Sequence, residues 1–333
     1  MKIIKPSYEI LKDTGNMFKN IERVARVCYK SEDKICEGSA EKMVRALTKS
    51  NHEAMLEHHS LIFAIPSLQD YMKFTEYVSF LVSMGGVCML RMTYTNRGIV
   101  SGNIRMWRDF IRSSISLIDE MFEKGILINN DPLVPKIVAD LLSYKKKYPI
   151  VFDDLDIDLN KFEIKLFDDY EFIPLDPAQL TDEEKKYHFM ITVKFTVDRG
   201  VGNEITRHRV ASFAQESTRY CNYSKGTFGN EITVIKPIFF EEGSETYELW
   251  RAACEAAEYS YLELLNAGAK PQEARDVLPL SLKSELCMTA TVNSWTHFFN
   301  LRALDKTGSA HPQMKEVTIP LLAKFKATYP TLF

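Results

Sequence analysis

The alternation across residues 189–198 constrains this chain more than any other feature. Ile191, Val193, Phe195 and Val197 point one way while Thr192, Lys194 and Thr196 point the other, the period of a strand with one buried face. The strand runs into Asp198-Arg199-Gly200-Val201-Gly202-Asn203, and a helical pattern follows. Elsewhere, residues 17–30, 40–50, 104–123 and 292–304 carry helical spacing, and Ser60 to Ile65 reads as a short strand. A long helix over 245–266 is closed by Gly268 and Pro271. The expectation is a mixed α/β (α+β) chain with one main core and a large insertion.

Composition supports a packed core and excludes several classes. Of 333 residues, 45% are hydrophobic, too many for wholesale disorder. The balance of 42 Lys+Arg against 45 Asp+Glu argues against a dedicated nucleic-acid coat protein. The longest uncharged apolar stretch, Tyr77 to Leu90, is interrupted by Gly85-Gly86. It is shorter than the roughly 20 residues of a membrane span. The N-terminal MKIIKPSYEILKD reaches Lys5-Pro6 too early for a signal peptide. Cys28, Cys36, Cys88, Cys221, Cys254 and Cys287 form no CxxC pair, so a reduced, cytoplasmic protein is expected. Residues 151–187 carry a net charge of −8 in a chain of net −3, leaving +5 elsewhere. That stretch reads as a solvated surface excursion.

The chemistry-bearing residues concentrate in Glu204 to Lys225, EITRHRVASFAQESTRYCNYSK. On a helix, Arg207 and Arg209 would stand about 200° apart, facing different ligands or subunits. If the following piece is extended, Gln215, Ser217 and Arg219 share a side and suit a nucleotide's base edge and phosphate. The plainer reading is a surface helix with solvated charges. Gly200-Val201-Gly202 begins a dinucleotide fingerprint, but Ile205 replaces its third glycine, which leaves a tight turn as the expected use.

A second cluster, NHEAMLEHH, spans Asn51 to His59. Leu56 breaks the HExxH zinc spacing and His52 and His58 fall off a shared helix face, so no metal is expected. In the third cluster Arg275 opens a helix, Asn293 and His297 share a face of the next, and Arg302 lies about 140° round from His297. Trp295, Phe298 and Phe299 are expected in the core. Cys221 has no local base and reads as an idle thiol.

Arg207-His208-Arg209, seven residues, then Ser217-Thr218-Arg219 resembles the RHR-x7-S-x-R signature of the flavin-dependent thymidylate synthases, the ThyX family. Asn51-His52-Glu53 with Glu57-His58, Ala274-Arg275 with Leu278-Pro279-Leu280, and Asn300-Leu301-Arg302 resemble further family segments. His311 stands in place for a following histidine. The resemblance covers about residues 15–66 and 188–325 and leaves about 67–187 as an insertion within one domain, 1–333. Gln215 stands where many members have Glu, and Asn293 where some have Arg.

The resemblance implies a largely antiparallel sheet flanked by helices, and conversion of dUMP to dTMP. It implies FAD reduced by NADPH, methylenetetrahydrofolate as carbon donor, and a homotetramer with shared active sites. By the same resemblance Glu204, Arg207, Gln215, Ser217, Arg219 and Arg275 would bind dUMP, with Arg302 catalytic at the uracil edge. His52, Glu57, Arg207, His208, Arg209, Asn293, His297 and His311 would lie on or near FAD. Two competitors remain: a non-catalytic nucleotide- or RNA-binding protein using the Arg-rich segment, and a metallohydrolase on His52 and His58. Neither a membrane nor a nucleic-acid partner is expected under the first reading.

Overall fold

A computed structural model describes residues 1–123 and 172–333. Its strands are β1 (Lys2–Ile4), β2 (Ser7–Leu11), β3 (Ser60–Ile65), β4 (Arg91–Tyr94), β5 (Gly98–Asn103), β6 (Ile173–Pro174), β7 (Met190–Asp198), β8 (Ser212–Gln215), β9 (Thr233–Ile235) and β10 (Lys283–Thr291). Its helices are α1 (Met17–Tyr29), α2 (Ser39–Lys49), α3 (Leu68–Ser83), α4 (Ile104–Glu123), α5 (Asp182–His188), α6 (Arg199–Ile205), α7 (Glu245–Asn266), α8 (Pro271–Ala274), α9 (Val292–Arg302) and α10 (Pro312–Thr328). The chain divides into two compact units. One comprises 1–16, 22–35 and 191–333; the other comprises 17–21 and 36–190.

In the first unit β7 behaves as its alternation requires. Ile191, Val193, Phe195 and Val197 are buried. They meet aromatic residues of α9 and α10: Phe195 lies 6.3 Å from Phe298 by ring centroids, Trp295 stacks on Phe299 at 5.7 Å, and Phe299 meets Phe325 at 5.0 Å. Each such ring contributes about 1.5–3 kcal/mol by leaving water. The indole of Trp295 would cost stability if its N–H were unpaired; it donates to the Ile191 carbonyl at 3.0 Å, tying α9 to the start of β7. On the other face Thr192 bonds Thr289 at 2.8 Å.

The sheet order is β2-β7-β10-β8. β2 pairs antiparallel with β7, and β10 antiparallel with β8, Leu286 opposite Gln215 and Thr289 opposite Ser212. A small parallel pair, β1 with β9, accompanies it. Ser244 caps α7 by accepting from Tyr247 N, and Gly268, at φ +98°, supplies the left-handed turn after its end.

The second unit holds an antiparallel sheet in the order β4-β5-β3-β6. Against one face pack aromatic side chains, with Phe63 5.1 Å from Trp107 of α4. The other face carries Ile62, Ala64 and Ile99, packed with Leu180 and Phe189.

Of the expected insertion at about 67–187, residues 124–171 lie outside the described residues, and so does most of the acidic stretch. In its described end Asp176, Asp182 and Glu183 are exposed, as the surface reading expects, and Glu184 departs from it. Phe172, Leu180 and Glu184 are buried, and Glu184 pairs with Arg97 at 3.1 Å. Charge alone misleads there because a capping box on Thr181 and one arginine neutralise the inward carboxylate. No helix among the described residues is long and apolar enough to cross a membrane.

Candidate active site

The end of β7 organises the first unit's polar residues. Asp198 caps α6, one carboxylate oxygen accepting from Val201 N at 2.8 Å and the other from Gln313 Nε2 of α10 at 3.0 Å. Gly200 and Gly202 lie inside α6, so the tight turn expected there is replaced by a helix. The physical need is close approach: a Cβ at residue 202 would stand 3.1 Å from Gln215 Nε2. Gln215 in turn donates to the Ser284 hydroxyl at 2.9 Å.

The helix stops at Ile205, which corrects the helical placement of the two arginines. Arg207 N bonds the Glu204 carbonyl and His208 N the Ile205 carbonyl, i to i+3 contacts that tighten the chain, and Val210 then turns left-handed at φ +65°. Arg207 and Arg209 are exposed on either side of a buried His208. The extended expectation for 215–219 also fails past Glu216. Tyr220 N and Cys221 N both bond the Ser217 carbonyl, so Ser217 and Arg219 sit in a turn.

Three of the expected residues make direct contact. Arg302 Nε donates to His208 Nε2 at 2.9 Å, and its Nη1 donates to Glu204 at 3.2 Å. An arginine nitrogen only donates, so His208 Nε2 must be the unprotonated nitrogen and the ring's proton belongs on Nδ1. Burial, then the Arg302 guanidinium and His297, hold His208 down to about 4, in agreement with a neutral ring. Phe298 packs edge-on to it at 4.8 Å, and His297 lies 6.4 Å away. Among the described residues, Arg302 Nη2 has no side-chain hydrogen bond. Thr318 of α10 donates to the Arg302 carbonyl at 2.6 Å, fixing the end of α9.

The other expected residues are more dispersed. Arg275 Nη1 donates to Thr218 at 3.4 Å, and Arg219 lies over the Tyr220 ring at 5.7 Å. Asn293 and His297 are exposed on α9. His311 stands at the N-cap position of α10, 5.5 Å from Phe239. Arg207, Arg209, Asn293, His297 and His311 thus present guanidinium, amide and imidazole groups to solvent, a donor set suited to a polar, phosphate-bearing cofactor. His52 and Glu57 belong to the second unit, where Glu57 pairs with Arg105 at 2.7 Å. Glu53 there pairs with Arg108 at 3.0 Å and with Arg112.

Sequence reasoning missed Glu216. It is buried and takes hydrogen bonds from Lys283 Nζ at 2.8 Å, Tyr223 at 3.2 Å and Glu285 N at 3.3 Å. Glu285 is held down to about 2, against its burial, by Lys283, Lys30 and Lys194. The signal was available in the inward alternation Ser212, Ala214, Glu216, since a carboxylate on a buried register needs a cation. Cys221 is buried, and burial with Glu216 pushes its thiol up to about 12, which leaves it protonated. All six cysteines are free thiols. Among the described residues no group of His, Cys, Asp and Glu is placed to hold a metal ion.

The family profile "Thymidylate synthase complementing protein" matches residues 186–331. The flavin-dependent thymidylate synthase of Corynebacterium glutamicum is 29% identical over 152 residues, 41% of this chain and 57% of that one. That of Pyrococcus abyssi is 30% identical over 120 residues, 36% of this chain and 47% of that one. The chain therefore spans about half the length of the curated relatives it matches. A solved UMP/dUMP methylase of Streptomyces cacaoi with 5-Br dUMP bound is 15% identical, with 100% of this chain and 95% of that one covered at a TM-score of 0.40. Residues 186–331, which hold the RHR and S-x-R segments and the Arg302 contacts, are the part of the chain that is similar to the thymidylate synthase complementing protein family.

Proposed function

We propose that the chain catalyses reductive methylation of dUMP to dTMP, with methylenetetrahydrofolate as carbon donor and FAD, reduced by NADPH, as cofactor. The carrying observation is the contact of Arg302 with both Glu204 and His208, which fixes the guanidinium and leaves Nη2 uncommitted. In this reading Nη2 meets the uracil imide. A fixed positive charge there favours the ionised imide and raises electron density in the ring.

The neutral His208 orients Arg302 without adding a second charge. Glu204, Arg207, Gln215, Ser217, Arg219 and Arg275 hold the nucleotide, their guanidinium groups suited to its phosphate. The exposed donors Arg207, Arg209, Asn293, His297 and His311 fit FAD, with His208 beside them. His52 and Glu57 are assigned to the flavin on motif alone. When bound, the flavin supplies the two-electron chemistry, and the chain binds and polarises. The proposal takes residues 1–333 as one catalytic domain with about 67–187 inserted, in a cytoplasmic homotetramer with shared active sites.

The test begins with the visible spectrum of purified protein after FAD loading and removal of excess. A retained oxidised-flavin spectrum that bleaches anaerobically with NADPH, followed by dTMP formation from dUMP, supports the reading. No retained flavin, together with salt-steep binding of polynucleotide, would favour a non-catalytic nucleotide- or RNA-binding protein instead.

A further inference from the structure

The second unit contains an enclosed arginine that meets no carboxylate among the described residues. Arg97 pairs with Glu184 at 3.1 Å, Arg105 with Glu57 at 2.7 Å, Arg108 with Glu53 at 3.0 Å and Arg112 with Glu53 at 2.6 Å. Arg91 differs. Its Nε donates to the Ser101 hydroxyl at 3.3 Å and its Nη2 to the Ser60 hydroxyl at 3.2 Å, while among the described residues Nη1 has only the Met106 sulfur at 4.0 Å. No carboxylate among the described residues pairs with it. Its burial is costly enough to draw the guanidinium down to about 10.

These groups share one face of one sheet. Arg91 of β4 stands opposite Ser101 of β5, and Ser101 opposite Ile62 of β3, with Ser60 two residues before Ile62 on the same side. Behind Ser101 lies the fully buried His188, bonded to Ser101 at 2.7 Å and to Thr93 at 2.6 Å. A consistent assignment runs one way. Arg91 donates to Ser101, Ser101 donates to His188 Nδ1, and His188 Nε2–H donates to Thr93. The histidine is neutral in that chain, so it neither offsets nor adds to the charge on Arg91. What remains, among the described residues, is a positive charge with spare N–H groups on Nη1 and Nη2 and a spare O–H on Ser60.

We propose that Arg91 and Ser60, braced by Ser101, form a binding site for an oxyanion, the phosphate or carboxylate end of a small ligand. A guanidinium fork with an adjacent hydroxyl matches the geometry of either group. The site is built from residues of the second unit and does not depend on the nucleotide reading proposed above.

The experiment titrates the full chain with inorganic phosphate and, separately, with succinate, followed by calorimetry. The variants are Arg91→Met, Ser60→Ala and Arg251→Ala, the last removing an exposed guanidinium of α7 that belongs to neither proposed site. Saturable binding that weakens about tenfold or more in Arg91→Met, a few-fold in Ser60→Ala and not in Arg251→Ala supports the site, since charged hydrogen bonds dominate it. Whichever probe responds identifies phosphate or carboxylate as the ligand chemistry. Absence of saturable binding for both probes, or unchanged binding in Arg91→Met, overturns it. If Arg91→Met does not fold, Arg91→Lys keeps the charge and removes the fork. Weakened binding then supports the site and unchanged binding overturns it.

Discussion

Arg302 and His208 are joined by a hydrogen bond whose direction is fixed: the guanidinium Nε donates and the imidazole Nε2 accepts, at 2.9 Å. The histidine can hold the arginine only while Nε2 is unprotonated. Two residues 94 positions apart therefore form a single orienting device.

Replacing Arg302 tests the catalytic half of that device. Arg302→Ala is expected to abolish dTMP formation while FAD remains bound, read by product assay and by the flavin absorbance of the same preparation. Full turnover by the variant would remove Arg302 from the reaction.

The pH dependence of stability tests the histidine half. His208 is held down to about 4 from an ordinary 6.5, so the unfolded chain takes up a proton that the folded chain refuses. Its stability contribution is complete above about pH 6.5 and is lost as pH falls toward 4. His188, also held down to about 4, chiefly by burial, acts in the same direction. Urea unfolding between pH 7 and 4.5 is therefore expected to lose stability steadily, and His208→Gln to flatten part of that slope. A variant as steep as the parent would contradict the neutral assignment.

Cys221→Ala is expected to keep dTMP turnover near the parent value. The thiol is buried and pushed up to about 12, so it supplies no thiolate at neutral pH. A folded but inactive variant would bring covalent catalysis back into consideration.

Glu216→Ala is expected to destabilise by about 3 kcal/mol in urea unfolding, because it leaves Lys283 with less compensation in a buried site. Lys283 retains Glu285 at 3.3 Å, which keeps the loss below that of a wholly orphaned charge. A change under about 0.5 kcal/mol would mean that water reaches the pair.

Much of the scaffold was legible in the sequence. The alternation of Ile191, Val193, Phe195 and Val197 is imposed by one buried face, and the structure buries all four. The helices over 17–29, 104–123 and 245–266 follow their apolar spacing. The turn at Arg207 to Arg209 was illegible because it depends on Val210, a β-branched residue held at φ +65°, where local preference opposes the backbone. Glu216 escaped notice because its cation, Lys283, lies 67 residues away and meets it only after β8 and β10 pair. His208 was visible as a motif residue, but its burial between two exposed arginines was not.

The hydrogen bonds of α10 have a consequence for how this chain can change length. Gln313 grips Asp198 at the foot of α6, and Thr318 grips the carbonyl of Arg302. The connecting loop 303–311 adds its own ties, Lys306 N bonding the Asn300 carbonyl of α9 and Asp305 pairing with Lys315 of α10. A change of length in that loop therefore has to keep Asp305 and Lys306 in place for the end of α9 to hold its position against α10.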